Sequence, residues 1–177
     1  MKASRCIGTI VLGVVITVTM LNGCLCRDKN RYYDDRKGFS LLIPREWEKA
    51  ASGGGADLIL LPPVEQSLIA FRPNMTVVVR DRNETFLLAE YQARTLEEIK
   101  SVLSEFRLME SGEDKIAGET GGVLHFSYIL GSVNIEVLQY TVLYKRKSFS
   151  ITFSAMPEEY LRFREKAEET VKSLELL

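Results

Sequence analysis

The chain has 177 residues, which is enough for one domain whose hydrophobic core needs no disulfide or metal to hold it together. Its 23 lysines and arginines nearly balance 24 acidic residues, so the formal net charge is −1 at pH 7. This balance argues against a nucleic-acid-binding protein, which needs a basic face, and it gives no support for electrostatic membrane binding.

An apolar segment dominates the start of the chain. Lys2 and Arg5 precede an apolar run that ends at Leu21, and Gly23 and Cys24 follow it. This order is typical of a secretory signal peptide with a small residue at the cleavage site. A cysteine directly after the small residue resembles the bacterial lipobox, in which that cysteine is acylated and becomes the mature N-terminus. We therefore predict a lipoprotein signal peptide over residues 1–23 and a lipid on Cys24.

The same segment has a second interpretation as a transmembrane anchor. No charged residue occurs between Cys6 and Cys26, and that length is just sufficient to span a bilayer. The strongly apolar part is only about fifteen residues long, which suits the core of a signal peptide. Both interpretations place the rest of the chain outside the cytoplasm and tether it to a membrane. That membrane is either the cell membrane or an outer membrane.

The three cysteines, Cys6, Cys24 and Cys26, all lie in the leader or at its border. The folded domain is therefore expected to have no disulfide and no thiolate metal site, and we predict no cofactor. Cys26 is left either as a free thiol near the bilayer or as an intermolecular partner.

Residues 24–37 are polar and charged, and we predict that they form a lipid-attached tether before a domain over residues 38–177. Strands are predicted at residues 38–44, 57–61 and 75–80, followed by a helix over residues 86–108. Strands at residues 114–116, 123–130, 133–144 and 149–155 follow, and a helix begins at Pro157. This order favours an α+β domain with an antiparallel sheet and helices packed against it.

Two of these strands have informative side-chain patterns. The strand over residues 133–144 has apolar side chains on both faces, which predicts that both faces are covered. Residues 149–155 alternate between apolar and hydroxyl side chains without a fault, which predicts one buried face and one weakly covered face.

The segment Gly38–Trp47 combines a strand, a proline and a tryptophan, residues 73–79 precede the long helix, and Met156-Pro157-Glu158-Glu159 opens the last helix. In this order the motifs resemble the PsbP-like and DcrB-like family of extracytoplasmic domains. The resemblance implies an α-β-α sandwich with a central, mostly antiparallel sheet. It implies little about activity, since known relatives are mostly non-catalytic and include an accessory subunit of the photosynthetic oxygen-evolving complex. We carry no metal-binding or docking residue of that subunit over to this sequence.

The residues that could carry chemistry have simpler structural interpretations. His125 is the only histidine, and no G-x-S-x-G motif surrounds any serine, so a structural or exposed role is favoured over catalysis. Trp47 is interpreted as a core residue rather than a ligand platform. We predict no catalytic residue and no metal site.

Leu68, Ile69 and Phe71 form a short apolar run between prolines. The run is either a short buried strand or an exposed loop, and in the second case it is the best candidate in the sequence for a partner contact. Lys145, Arg146 and Lys147 are interpreted most simply as a solvated hairpin turn, and the alternative is that these three cations contact anionic headgroups.

These observations together predict a membrane-anchored extracytoplasmic lipoprotein that binds or stabilises an unidentified cell-envelope protein and is not an enzyme. The predicted partners are thus the membrane, through lipid on Cys24, and that envelope protein, with no nucleic acid. The alternative is a small-ligand carrier with a cleft between sheet and helix.

Overall fold

The computed structural model describes residues 29–64 and 70–177. These residues form ten strands and two helices. The strands before the first helix are β1 (Arg31–Asp34), β2 (Phe39–Leu42), β3 (Glu48–Ala50), β4 (Leu58–Leu61) and β5 (Asn74–Asp81). The helix α1 (Leu88–Val102) is followed by β6 (Ser104–Ile116), β7 (Glu119–Leu130), β8 (Val133–Tyr144) and β9 (Lys147–Ala155), and the chain ends with α2 (Pro157–Lys172) and β10 (Glu175–Leu176).

A seven-stranded antiparallel sheet forms the centre of the domain, in the order β3-β4-β5-β9-β8-β7-β6. Helix α2 covers one face, where Tyr160 and Phe163 join the larger core cluster. Helix α1 covers the other face, where Ile99 packs on a smaller cluster that includes Phe126. The predicted α-β-α sandwich with a mostly antiparallel sheet is therefore confirmed.

The side-chain pattern of β8 explains why the sheet has helices on both faces. Ile135 and Val137 belong to the cluster under α1, whereas Leu138, Tyr140 and Val142 belong to the cluster under α2. The prediction that this strand is covered on both sides is confirmed. In β9, Phe149, Ile151, Phe153 and Ala155 are buried, whereas Ser150, Thr152 and Ser154 are only half-buried, as the alternation of apolar and hydroxyl residues predicts.

A second, three-stranded sheet consists of β1, β2 and β10. The tether predicted over residues 24–37 therefore contains a strand of the domain, Arg31–Asp34. Two side-chain contacts hold this strand although its composition is polar. The ring centroids of Tyr32 and Phe39 lie 5.8 Å apart, and Nη1 of Arg31 lies 3.1 Å from Oε2 of Glu175. The polar and charged composition of the segment conceals the strand in the sequence.

The helix predicted over residues 86–108 ends at Val102, and the chain continues as the long strand β6. The helical pattern of apolar residues continues past Val102 because Phe106 contacts the same cluster as α1. Phe106, however, lies on strand β6 and not on the helix. Register shifts between Ser104 and Arg107 and between Leu108 and Glu110 interrupt the alternation of β6. These irregularities interrupt the two-residue period of side chains by which a strand is recognised in a sequence.

Candidate functional site

Of the four site residues predicted from the sequence, only Phe71 lies in the described part of the chain. Cys24, Leu68 and Ile69 lie outside the residues that the structure describes. Phe71 lies in a bend and packs, partly buried, against the cluster under α1. Its role as a partner contact is untested, and the structure gives it a packing role of its own.

Strand β6 is the most exposed strand of the large sheet. It lies at the sheet edge, and eleven of its thirteen residues are exposed, the exceptions being the half-buried Phe106 and the buried Ile116. The two-residue turn at Ala117 and Gly118 joins it to β7, with φ angles of 53° and 82°. Ile116 and Glu119 close this turn and exchange backbone hydrogen bonds with each other. Hydrogen-bonded and non-hydrogen-bonded pairs alternate along an antiparallel ladder. The backbone N–H and C=O groups of Ser111, Glu113 and Lys115 therefore point toward the open edge.

Exposed apolar side chains are concentrated along the same edge. Among the described residues, seven large apolar side chains are exposed, and four of them lie on β6 or beside it: Val102, Leu108, Met109 and Leu130. Ser104 pairs with Ile129, so Val102 and Leu130 meet the start of β6. An open strand edge with apolar side chains around it is the type of surface to which an extended peptide adds as a further strand.

The edge of β6 is also acidic. Glu105, Glu110, Glu113 and Asp114 outnumber Arg107 and Lys115 on this strand. Charged side chains and bulges limit indiscriminate pairing between edges. The acidic excess favours a partner segment that carries basic side chains.

A groove of about 650 Å³ lies on the opposite side of the domain, between α2 and the segment that follows β2. Trp47 lines the groove but is only 7% exposed. Its ring packs on those of Phe153 and Phe163, with centroid distances of 6.1 and 6.2 Å. The interpretation of Trp47 as a core residue is supported. The groove does not run between α2 and the large sheet, where Tyr160 and Ala167 are 0% and 1% exposed and leave no space.

His125 belongs to a polar cluster between the large sheet and α2. Its Nε2 lies 2.8 Å from Oε1 of Glu136, and the exposed fractions of the two side chains are 12% and 17%. Its ring stacks on Tyr160 with centroids 5.1 Å apart and planes 4° apart. The structure therefore places His125 under α2 in a structural contact.

The tyrosines near this cluster are poor acid–base groups at neutral pH. The pKa of Tyr140 is raised to about 12, mainly by burial and in smaller part by the nearby carboxylate of Glu168. Burial also raises the pKa of Tyr160, whose hydroxyl is buried without a hydrogen-bond partner among the described residues. Both hydroxyls therefore stay protonated, which gives the cluster no phenolate base.

Replacement of His125 by Phe should lower the free energy of unfolding by about 1–3 kcal/mol, because it leaves the largely buried carboxylate of Glu136 without its partner while it keeps a ring on Tyr160. Urea unfolding measures the change. The double variant His125→Phe/Glu136→Leu is the control and should recover most of the loss, because no buried acceptor remains. Equal stability of the single variant and the wild type would contradict this account.

Two further observations concern metals and membranes. Within residues 29–64 and 70–177, no group of three or more His, Cys, Asp or Glu side chains is arranged to hold a metal ion. Neither helix of this described part is long and apolar enough to cross a membrane.

Comparison with known proteins finds similar folds but no similar sequence. No family model matches the chain, and no curated protein matches its sequence. The solution structure of cyanobacterial PsbP (CyanoP) from Synechocystis superposes with a TM-score of 0.63 and 15% identity, over 89% of this chain and 99% of that one.

Two other solved structures are similar. LpqN of Mycobacterium tuberculosis, described as involved in cell envelope biogenesis, matches with a TM-score of 0.59 and 15% identity, over 78% of this chain and 82% of that one. The Ran-binding protein Mog1p of Saccharomyces cerevisiae matches with a TM-score of 0.56 and 8% identity, over 82% of this chain and 94% of that one. At these identities the likeness concerns the fold, and it shows that this chain has the PsbP-like/DcrB-like fold.

Proposed function

We propose that this chain is a membrane-anchored extracytoplasmic lipoprotein whose domain binds a cell-envelope protein and performs no catalysis. The N-terminal sequence supports the anchor, since Cys24 follows an apolar leader that ends in a small residue. The fold is compatible with such a role, because LpqN, with the same fold, is described as involved in cell envelope biogenesis.

The open edge of β6 carries the proposal of partner binding. This strand offers outward N–H and C=O groups at Ser111 and Glu113, and Leu108 and Met109 stand exposed on it by 39% and 48%. An extended segment of the partner adds to β6 as an eighth strand of the sheet and covers these side chains. The acidic excess of β6 selects a segment with basic residues.

The double variant Leu108→Glu/Met109→Glu should abolish co-purification of the partner from native membranes, because it adds two further negative charges and removes the apolar contacts at the edge. Quantitative mass spectrometry of the co-purified proteins measures the loss. Leu161→Glu is the matched control, since Leu161 is an exposed apolar residue, 78% exposed, on α2 and away from β6.

The comparison of these variants decides between two outcomes. Proteins that are lost with the β6 variant and retained with Leu161→Glu support the proposal. If the co-purified proteins are the same for the wild type and both variants, β6 is not the binding edge. Because all three side chains are exposed, the substitutions should leave the fold intact, and circular dichroism checks this.

The groove beside α2 favours a second candidate function, that of a small-ligand carrier. Its volume of about 650 Å³ falls within the range of ligand sites, and Trp47, Pro63 and Phe163 supply apolar lining. A carrier would retain a small molecule through gentle purification, and native mass spectrometry would detect the added mass. Partner binding remains our first proposal, because the groove is open and its rim is charged.

A further inference from the structure

The groove beside α2 adjoins a second groove, and the two share the segment from Ile43 to Arg45 and Trp47. Within the described part of the chain, the linings of these two grooves hold six basic residues and two acidic ones. The basic residues are Lys29, Arg31, Arg45, Lys49, Arg162 and Lys166. We call this the basic surface, and its excess of positive charge contrasts with the net charge of −1 of the whole chain.

Most of this positive charge is not neutralised within the domain. Arg31 pairs with Glu175, and Lys166 pairs with Glu169. Four of the basic residues make no ion pair with a carboxylate among the described residues: Lys29, Arg45, Lys49 and Arg162. Lys49 Nζ lies 5.2 Å from the ring centroid of Tyr32, and Arg162 Cζ lies 4.9 Å from the ring centroid of Phe163. Four cations that face outward from one surface require an anionic partner or remain solvated.

The start of the described chain places this surface close to the proposed anchor. Lys29 lines the second groove and is the fifth residue after Cys24. A chain of that length reaches at most roughly 18 Å when fully extended. Lipid on Cys24 would therefore hold the basic surface within reach of the headgroups, where attraction to anionic lipid acts over a Debye length of about 8 Å.

We propose that the basic surface docks on anionic lipid headgroups and so fixes the orientation of the domain on the membrane. This inference rests on the proposed lipid anchor. Lys49 lies on β3, and β3 and β6 are the two opposite edges of the seven-stranded sheet. Six strand spacings separate these edges by roughly 29 Å. Docking at the β3 side thus presents the acidic β6 edge away from the negatively charged bilayer.

Trp47 is the only tryptophan of the chain and lies within the basic surface, so its fluorescence reports on docking. The full chain, purified from membranes, is placed in vesicles of phosphatidylcholine, with or without phosphatidylglycerol, that carry a headgroup spin label as a quencher. Trp47 should be quenched more strongly in the anionic vesicles at low salt. The difference should disappear at high salt, because exposed charges are then screened.

The triple variant Arg45→Glu/Lys49→Glu/Arg162→Glu should reduce the docking equilibrium constant on the order of 100-fold, and the extra quenching should vanish. The matched control Arg94→Glu/Arg107→Glu/Lys115→Glu reverses three exposed charges on α1 and β6 and should quench like the wild type. The wild-type dependence on lipid and salt is a separate test that does not require either variant to fold.

Equal quenching of wild-type Trp47 in neutral and anionic vesicles at low salt, with the protein still bound to both, would overturn the docking proposal and leave the anchor intact. An equal loss of quenching in both triple variants would also overturn it, because the effect would then follow total charge rather than this surface. Release of the wild type from neutral vesicles would instead count against the anchor, and docking would still be decided on the anionic vesicles.

Discussion

Replacement of Phe153 by Ala is expected to destabilise the domain by about 3–5 kcal/mol, which is the usual cost of truncating a fully buried phenylalanine. Phe153 is 1% exposed and lies on β9 between Met75 of β5 and Leu138 of β8. Its ring also contacts Trp47 at 6.1 Å and Tyr160 at 5.9 Å. The truncation therefore removes a contact shared by the sheet, α2 and the segment before β3.

Urea unfolding followed by Trp47 fluorescence measures this loss, because the only tryptophan packs directly on the substituted ring. Ser150→Ala is the matched control, since Ser150 lies on the same strand but points to the other, half-buried face. We expect that variant to change the free energy of unfolding by no more than about 0.5 kcal/mol. Similar stabilities of the two variants would show that Phe153 is not a central core residue.

The elements that the sequence predicted well are those that pack on regular neighbours. Strand β8 spans residues 133–144 as predicted, and α2 begins at Pro157 as predicted. Both have long, uninterrupted patterns of apolar residues, because both are packed along their whole length against the centre of the sheet. Under those conditions the side-chain period records the burial directly.

Elements at the margins of the domain could not be predicted in the same way. Strand β6 has one neighbour in the sheet, and its exposed face carries charges where a central strand carries apolar residues. Strand β3 has only three residues, none of them buried, and so leaves no apolar pattern. The sequence therefore did not predict the candidate partner edge, because an exposed strand has no alternating pattern of apolar residues.

The basic surface is hidden from the sequence for a different reason. Lys29, Arg45 and Lys49 come from the first part of the chain, and Arg162 and Lys166 come from α2. No basic run occurs at either place, and the overall charge balance conceals the cluster. Only the packing of α2 beside the segment after β2 brings these side chains together.

Replacement of Cys24 by Ser should abolish acylation of the protein completely, because it removes the thiol to which lipid would be attached. The expected effect on attachment is large, since each buried CH₂ of an acyl chain contributes about 0.8 kcal/mol and several chains hold a protein far more firmly than one. Labelling of growing cells with radioactive palmitate, followed by isolation of the protein, measures the result.

Cys26→Ser is the matched control for this experiment, because it removes the neighbouring thiol and keeps the sequence Gly23-Cys24 intact. The wild type and Cys26→Ser should both be labelled with palmitate and should both begin at residue 24 in the intact mass. Cys24→Ser should carry no label. A wild-type protein that is unlabelled and still carries residues 1–23 would contradict the lipid anchor and favour the transmembrane interpretation, because the uncut apolar segment would then be what holds the domain to the membrane.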